Sequence, residues 1–242
     1  DNETCVLVAT GRHGLVVTAI TDAAAAGGVR PGMALADARA LMPELCAQPA
    51  EPVADRRALV QLARWCGRYG PARNIDIGPV PGITQGDLLL DHGLWIDITG
   101  VAHLFGGEDA LADDLSTRFA SFGLTARLGL ADTLGAAHAL ARFAMPGGLR
   151  RHDRTWISSP AGETAAAIAP LPVEALRLEP AATVTLRRLG LRRIGDLYDM
   201  PRAALERRFH ESMGQAGALT RLDQALGRTP EPRRSLIEVP DL

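Results

Sequence analysis

The chain has 242 residues, 47% of them hydrophobic and 22% charged, with a net charge of −2. That balance belongs to a globular protein with a sizeable core and excludes a disordered or fibrous chain. No run of 18 apolar residues occurs, and the opening DNETCVLVAT lacks the basic flank and apolar stretch of a secretory signal, so neither a membrane span nor export is expected.

All 26 basic residues are arginine. Residues 1–149 hold 11 arginines against 16 acids, and residues 150–242 hold 15 against 12, so a polyanion would prefer the second half. The three cysteines, Cys5, Cys46 and Cys66, are scattered and form no zinc-type spacing. Free, mostly buried thiols in a reducing cytoplasm are the expectation. The absence of an initiator Met reads as a fragment of a longer chain.

In chain order, CVLVAT and LVVTAI are β-branched apolar runs joined by a turn at Gly11–Gly14 and read as paired strands. Pro31-Gly32 is a turn, and Met33, Ala34, Ala38, Leu41 and Met42 recur at helical spacing until Pro43 stops the helix. A second helix runs from about Val53 to Tyr69, with Leu59, Leu62, Ala63, Cys66 and Tyr69 on one stripe. The piece NIDI is strand-like. A hairpin is expected from Asp87–Asp91 and Leu94–Thr99, turning at His92-Gly93.

A helix over Glu108–Phe122, a strand in TARLGLAD and a helix over Thr133–Phe143 follow. The order β-β-α-α-β-β-α-β-α suits an α+β sheet with helices on one face. Beyond Arg150 only TWIS is strand-like, and short helices separated by prolines dominate: Ala161–Ile168, Val173–Leu176, Ala181–Leu189, Ile194–Asp199, Arg202–Phe209 and Gly217–Leu226. A domain boundary is placed near Ser158–Pro160.

No P-loop, GxSxG, HExxH or GxGxxG pattern occurs. His13, His92, His103, His138, His152 and His210 are dispersed, and Asp113-Asp114 read as the solvated face of their helix. Asp91 and Asp97 share a face of an extended chain but lie roughly 20 Å apart, too far to hold one ion together.

Several motifs in register carry a resemblance. GVRPGMALADARALMPEL resembles the fingers segment of Y-family translesion DNA polymerases, and LVQLARWCGRYGP resembles the helix that follows it. LLLDHGLWIDITG resembles the palm hairpin that bears the family's Asp-Glu pair, and TARLGLADTLGAAHALARF the next palm strand and helix. Narrower still, GLWIDITGVAHLFGGE, RPGMALADARAL and WCGRY resemble the bacterial ImuB branch, the polymerase-like members of the mutasome. The chain departs from that branch at Val101, where Cys is usual, and by a longer insertion between Tyr69 and Leu88.

The resemblance implies a ferredoxin-like polymerase palm with a small fingers subdomain, followed by an all-α thumb with a degenerate helix-hairpin-helix. Residues 1–70 would be fingers and part of the palm, 71–157 palm, 158–230 thumb, and 231–242 the start of a linker to a little-finger domain. The catalytic Asp-Glu pair falls on Asp91 and His92, so the catalytic Glu is replaced. Two Mg²⁺ ions need carboxylate oxygens, and imidazole is a poor substitute. The family's triphosphate-holding Tyr and Arg fall on Asp22 and Ala25, where an acid repels phosphate and Ala donates nothing. A different gap placement brings Asp76 near the metal position.

In the thumb, the hairpin reads Glu179-Pro180-Ala181 in place of Gly-x-Gly, which weakens backbone gripping of phosphate. Arg187, Arg188, Arg192 and Arg193 remain as side-chain phosphate contacts. The expectation is therefore a noncatalytic homologue without cofactor or metal, acting in SOS mutagenesis and translesion synthesis as an adaptor. Its partners would be the sliding clamp, a small mutasome accessory protein, an error-prone replicative-type polymerase and primer-template DNA. The alternatives are an active Y-family polymerase with an atypical Mg²⁺ site and a stand-alone DNA-binding repair module.

Overall fold

The computed structural model describes residues 3–11, 13–71, 73–79, 89–144, 156–203 and 217–232, giving the backbone alone for 76–79 and 89–92. The described chain divides into two compact units, one ending at Ile98 and the other starting at Thr99. The expected boundary near Ser158–Pro160 lies inside the second unit.

In the first unit, β1 (Cys5–Gly11) and β2 (Gly14–Ile20) pair antiparallel, as the two apolar runs and the glycine-rich turn predict. Alternation along β1 sends Val6 and Val8 inward. They meet Val17, Ala24, Val29, Leu35, Ala38 and Leu45 in one core. Thr21 caps α1 (Asp22–Ala26), its Oγ1 accepting from the Ala24 N–H. Gly32 adopts φ +88°, which its lack of a Cβ permits, and its N–H donates to the Val17 carbonyl at 2.8 Å. That turn lays α2 (Leu35–Leu41) over the sheet, burying Leu35 and Ala38 one turn apart.

A strand absent from the sequence reading, β3 (Cys46–Pro49), pairs parallel with β1 and completes the order β2-β1-β3. Pro49 can sit there because, among the described residues, β3 is the edge of this sheet. α3 (Pro52–Trp65) begins on a proline suited to a first helical turn and ends in a 3-10 turn, Cys66–Tyr69. The expected stripe is right in direction: Ala63, Cys66 and Tyr69 are buried.

The expected hairpin turn at His92-Gly93 is not formed. β5 (Leu89–Ile96) runs straight through both residues and pairs antiparallel with β4 (Arg73–Pro79), a longer strand than NIDI alone. The register passes from Asp76↔Gly93 to Ile77↔Asp91, so His92 is the extra residue of a β-bulge. The partner strand comes from upstream, and a single bulge absorbs what the sequence suggested as a turn.

In the second unit a 3-10 turn, Ala102–Phe105, leads into α4 (Glu108–Ser121), which buries Leu111, Ala112, Leu115 and Phe119. Asp113 and Asp114 are not simply a solvated face. Asp113 accepts the indole N–H of Trp156 at 2.8 Å, and Asp114 pairs with Arg118 one turn on at 2.9 Å. β6 (Leu128–Leu130) and β7 (Trp156–Ser158) are parallel, and α5 (Leu134–Phe143) lies in the segment between them and packs on both.

The proline-punctuated region forms α6 (Thr164–Ile168), the 3-10 turn Val173–Leu176, α7 (Pro180–Arg188), the 3-10 turn Ile194–Leu197 and α8 (Ala218–Ala225). Of the expected helix Arg202–Phe209, residues beyond Ala203 lie outside the described ones. Ala136, Ala139 and Leu140 of α5 share one core with Ile168, Val173, Leu176, Leu186, Ile194, Leu197 and Leu222. Among the described residues the strands thus form three small sheets, of three, two and two strands, in an α+β chain, not the single sheet expected. No helix of the described residues is long and apolar enough to cross a membrane.

Candidate functional site

Asp91 and His92 sit at the bulge of β5, held by backbone pairing to β4. A β-bulge locally bends its strand and re-aims the side chains beside it, and this one falls on the pair that the sequence reading singled out. Asp76 pairs across to Gly93 and Asp91 to Ile77, so no backbone register pair joins the two acids. Among the residues whose side chains are described, no cluster of three or more His, Cys, Asp or Glu is placed to hold a metal ion.

Asp22 and Ala25 lie three residues apart on α1 and are exposed. Asp22 stands in the first turn, where a carboxylate complements the positive end of the helix. That is a structural use for the acid at this position.

The connection that leads into α7 is displaced by two residues from the sequence reading, which placed it at Glu179-Pro180-Ala181. Glu179 is the N-cap of α7, and Pro180 and Ala181 are its first helical residues, so the connection from Val173–Leu176 is made by Arg177–Glu179. The missing N–H of Pro180 therefore costs the helix nothing, since the first helical N–H has no partner within the helix. Arg177 is the one non-glycine residue with positive φ among those described (φ 57°, ψ 42°), a conformation glycine favours. Its guanidinium makes a bidentate pair with Glu231, Nη1 to Oε1 at 2.8 Å and Nη2 to Oε2 at 2.6 Å. Arg221 Nη1 reaches the same carboxylate at 3.2 Å. The ion pair of this turn went unread in the sequence because it joins residues 54 apart, and the left-handed backbone because arginine does not announce one.

Arg187, Arg188, Arg192 and Arg193 are all exposed or half-exposed, the first two in the last turn of α7 and the others in the loop beyond. They are not equivalent. Arg187 Nε donates to Glu174 Oε1 at 2.6 Å. The backbone N–H groups of Arg192 and Arg193 both donate to Asp196 Oδ2 at 2.8 Å. Those two hydrogen bonds hold the Asp196 carboxyl below the usual carboxylate range. A pair of converging N–H groups is an anion-binding arrangement, and here the chain's own carboxylate fills it. Of the three thiols only Cys66 is buried, which corrects the expectation; burial pushes its pKa up to about 11.

The α+β fold has counterparts among known proteins. The sequence pattern of the impB/mucB/samB (IMS) family matches residues 2–142. Protein ImuB of Caulobacter vibrioides (strain NA1000 / CB15N) is 47% identical over 204 residues, 84% of this chain and 39% of that protein, and the ImuB of strain ATCC 19089 / CIP 103742 / CB 15 matches equally. The chain thus spans well under half the length of those relatives. DinB from Sulfolobus solfataricus superposes with a TM-score of 0.66 at 15% identity, over 95% of this chain and 61% of that one. The insertion ternary complex of Dbh DNA polymerase gives 0.68 at 18%, over 94% and 61%. At such identities the likeness concerns the fold alone. Sequence pattern, ImuB-level identity and fold agree: the chain belongs to the impB/mucB/samB family of Y-family polymerase homologues.

Proposed function

We propose that this chain is the polymerase-like core of a noncatalytic ImuB-type protein, an adaptor in damage-induced, mutagenic translesion synthesis. The observation that carries it is the pairing of 47% identity to ImuB proteins with a catalytic position that reads Asp91-His92. A two-metal polymerase site clamps attacking and leaving oxygens with carboxylate-held ions, and a histidine in place of the Glu removes one such ligand. Asp22 and Ala25 offer no cation to the triphosphate.

In this reading residues 1–70 are fingers and part of the palm, 71–157 a ferredoxin-like palm, and 158–230 a thumb with a degenerate hairpin. The sliding clamp, a small accessory protein and an error-prone replicative-type polymerase are the partners. Primer-template DNA is met by arginine side chains, since Asp196 occupies the loop N–H groups. Purified full-length protein is expected to add no nucleotide to a primer with Mg²⁺ or Mn²⁺. Template-directed incorporation that Asp91→Ala abolishes would overturn the proposal.

The same preparation tests the DNA surface. Replacing Arg187, Arg188, Arg192 and Arg193 together by Ala is expected to flatten the dependence of log K on log salt, by about 0.9 for each phosphate that an arginine no longer neutralises. An unchanged slope assigns DNA contact elsewhere and leaves the adaptor role to protein surfaces.

A further inference from the structure

Two of the three cysteines are brought together by the sheet. Cys5 opens β1 and Cys46 opens β3, and they are register partners in the parallel ladder. Neighbouring strands lie about 4.8 Å apart, which places paired Cα atoms inside the roughly 4.4–6.8 Å range that a disulfide spans. Partners in a ladder point to the same face. The backbone around both is tied down: the Cys5 N–H donates to Thr21 Oγ1 at 3.2 Å, the Cys5 carbonyl accepts from the Thr21 N–H at 3.1 Å, and the Cys46 N–H donates to the Thr4 carbonyl at 3.0 Å. Cys46 is exposed on the edge strand, and Cys5 is half-buried behind it.

We propose that Cys5 and Cys46 form a redox-sensitive dithiol that a hydroperoxide closes reversibly to an intramolecular disulfide. Cys46, the exposed thiol, attacks as thiolate on the peroxide oxygen. The O–O bond breaks, Cys46 becomes a sulfenic acid and water or an alcohol leaves. The Cys5 sulfur then attacks the sulfenic sulfur, the S–S bond forms, the S–O bond breaks and a second water departs with the Cys5 proton. Two thiols lose two electrons to one peroxide, and a small dithiol restores them. The neighbouring Cys46 side chain is the main cause that holds the Cys5 thiol above its ordinary pKa, and the exposure of Cys46 makes it the thiol that meets the peroxide while half-buried Cys5 resolves.

Closure would join β3 covalently to β1 and enclose α1 and α2, the segment bearing Asp22 and Ala25. Cys66 does not compete, because it is buried with its thiol held in the protonated form at neutral pH. Nothing in the proposed adaptor role requires this pair, so the two proposals stand or fall separately.

The test treats the full chain with hydrogen peroxide at near-stoichiometric amounts, blocks remaining thiols with N-ethylmaleimide and maps tryptic peptides. The expected product links the peptide ending at Arg12 to Ala40–Arg56, lighter by two hydrogens than the two thiols and separated by dithiothreitol. Cys46→Ser should abolish the link. Cys5→Ser should leave a sulfenic acid on Cys46 that dimedone traps. Cys66 should resist alkylation in each folded variant, which reports that the fold is intact. Oxidation of Cys46 to sulfinic acid with Cys5 still alkylatable would overturn the proposal, and so would Cys46–Cys46 linkage between molecules or no reaction at either thiol.

Discussion

Glu231→Ala is expected to destabilise the second unit by about 3–5 kcal/mol, the range for stripping a buried ion pair of one partner. The side chains of Arg177, Arg221 and Glu231 are only 15%, 23% and 10% exposed. Glu231 bridges the two guanidiniums, with bidentate geometry toward Arg177. Removing it takes away the carboxylate that these two like charges share, where neither is fully hydrated. Arg177 suffers further, because its left-handed backbone is tolerated only while the surroundings hold it. Glu231→Gln keeps acceptor oxygen but loses the charge and should fall between wild type and Ala. Urea unfolding followed by fluorescence checks the order. A Glu231→Ala loss under about 1 kcal/mol would mean that the pair is a surface contact of little weight.

Leu140→Ala should cost about 2–5 kcal/mol, measured the same way with an unchanged denaturant slope. Leu140 is fully buried on α5, beside Ala136 and Ala139, in the core shared by the helices of the second unit. The surroundings have little room to collapse into the vacancy, because α5 is clamped from two sides. A Cβ on Gly129 of β6 would run into the backbone of Ala137 and Ala141, and a Cβ on Gly135 would strike Ala225 of α8. Thr133 adds a pin, its Oγ1 donating to the Ala225 carbonyl at 2.7 Å. By contrast Leu104→Ala, at a side chain 72% exposed, should change stability by no more than about 0.5 kcal/mol.

Where a periodic signal was strong, the elements were legible. The apolar alternation of CVLVAT and the helical spacing of ALADARAL, LVQLARWC and LGAAHALARF record which side of each element faces a core. Short-range chemistry was legible too: Thr133 and the proline at the start of α3 announce helix starts. The edge strand Cys46–Pro49 was not, since CAQP has no alternation and owes its state to pairing with β1.

The same division holds at the candidate site. Sequence alone determined the family and the identities Asp91, His92, Asp22 and Ala25, because those rest on residue type and order. Tertiary structure decided that His92 is a bulge residue inside a strand and not a turn, and that Arg177 makes the hairpin. It also decided that Asp113 meets Trp156 and that Cys5 faces Cys46. Each of these depends on which distant segment arrives opposite. Local propensity and spacing carry no record of that arrival, for the free energy that fixes it comes from pairing and burial between residues far apart in the chain.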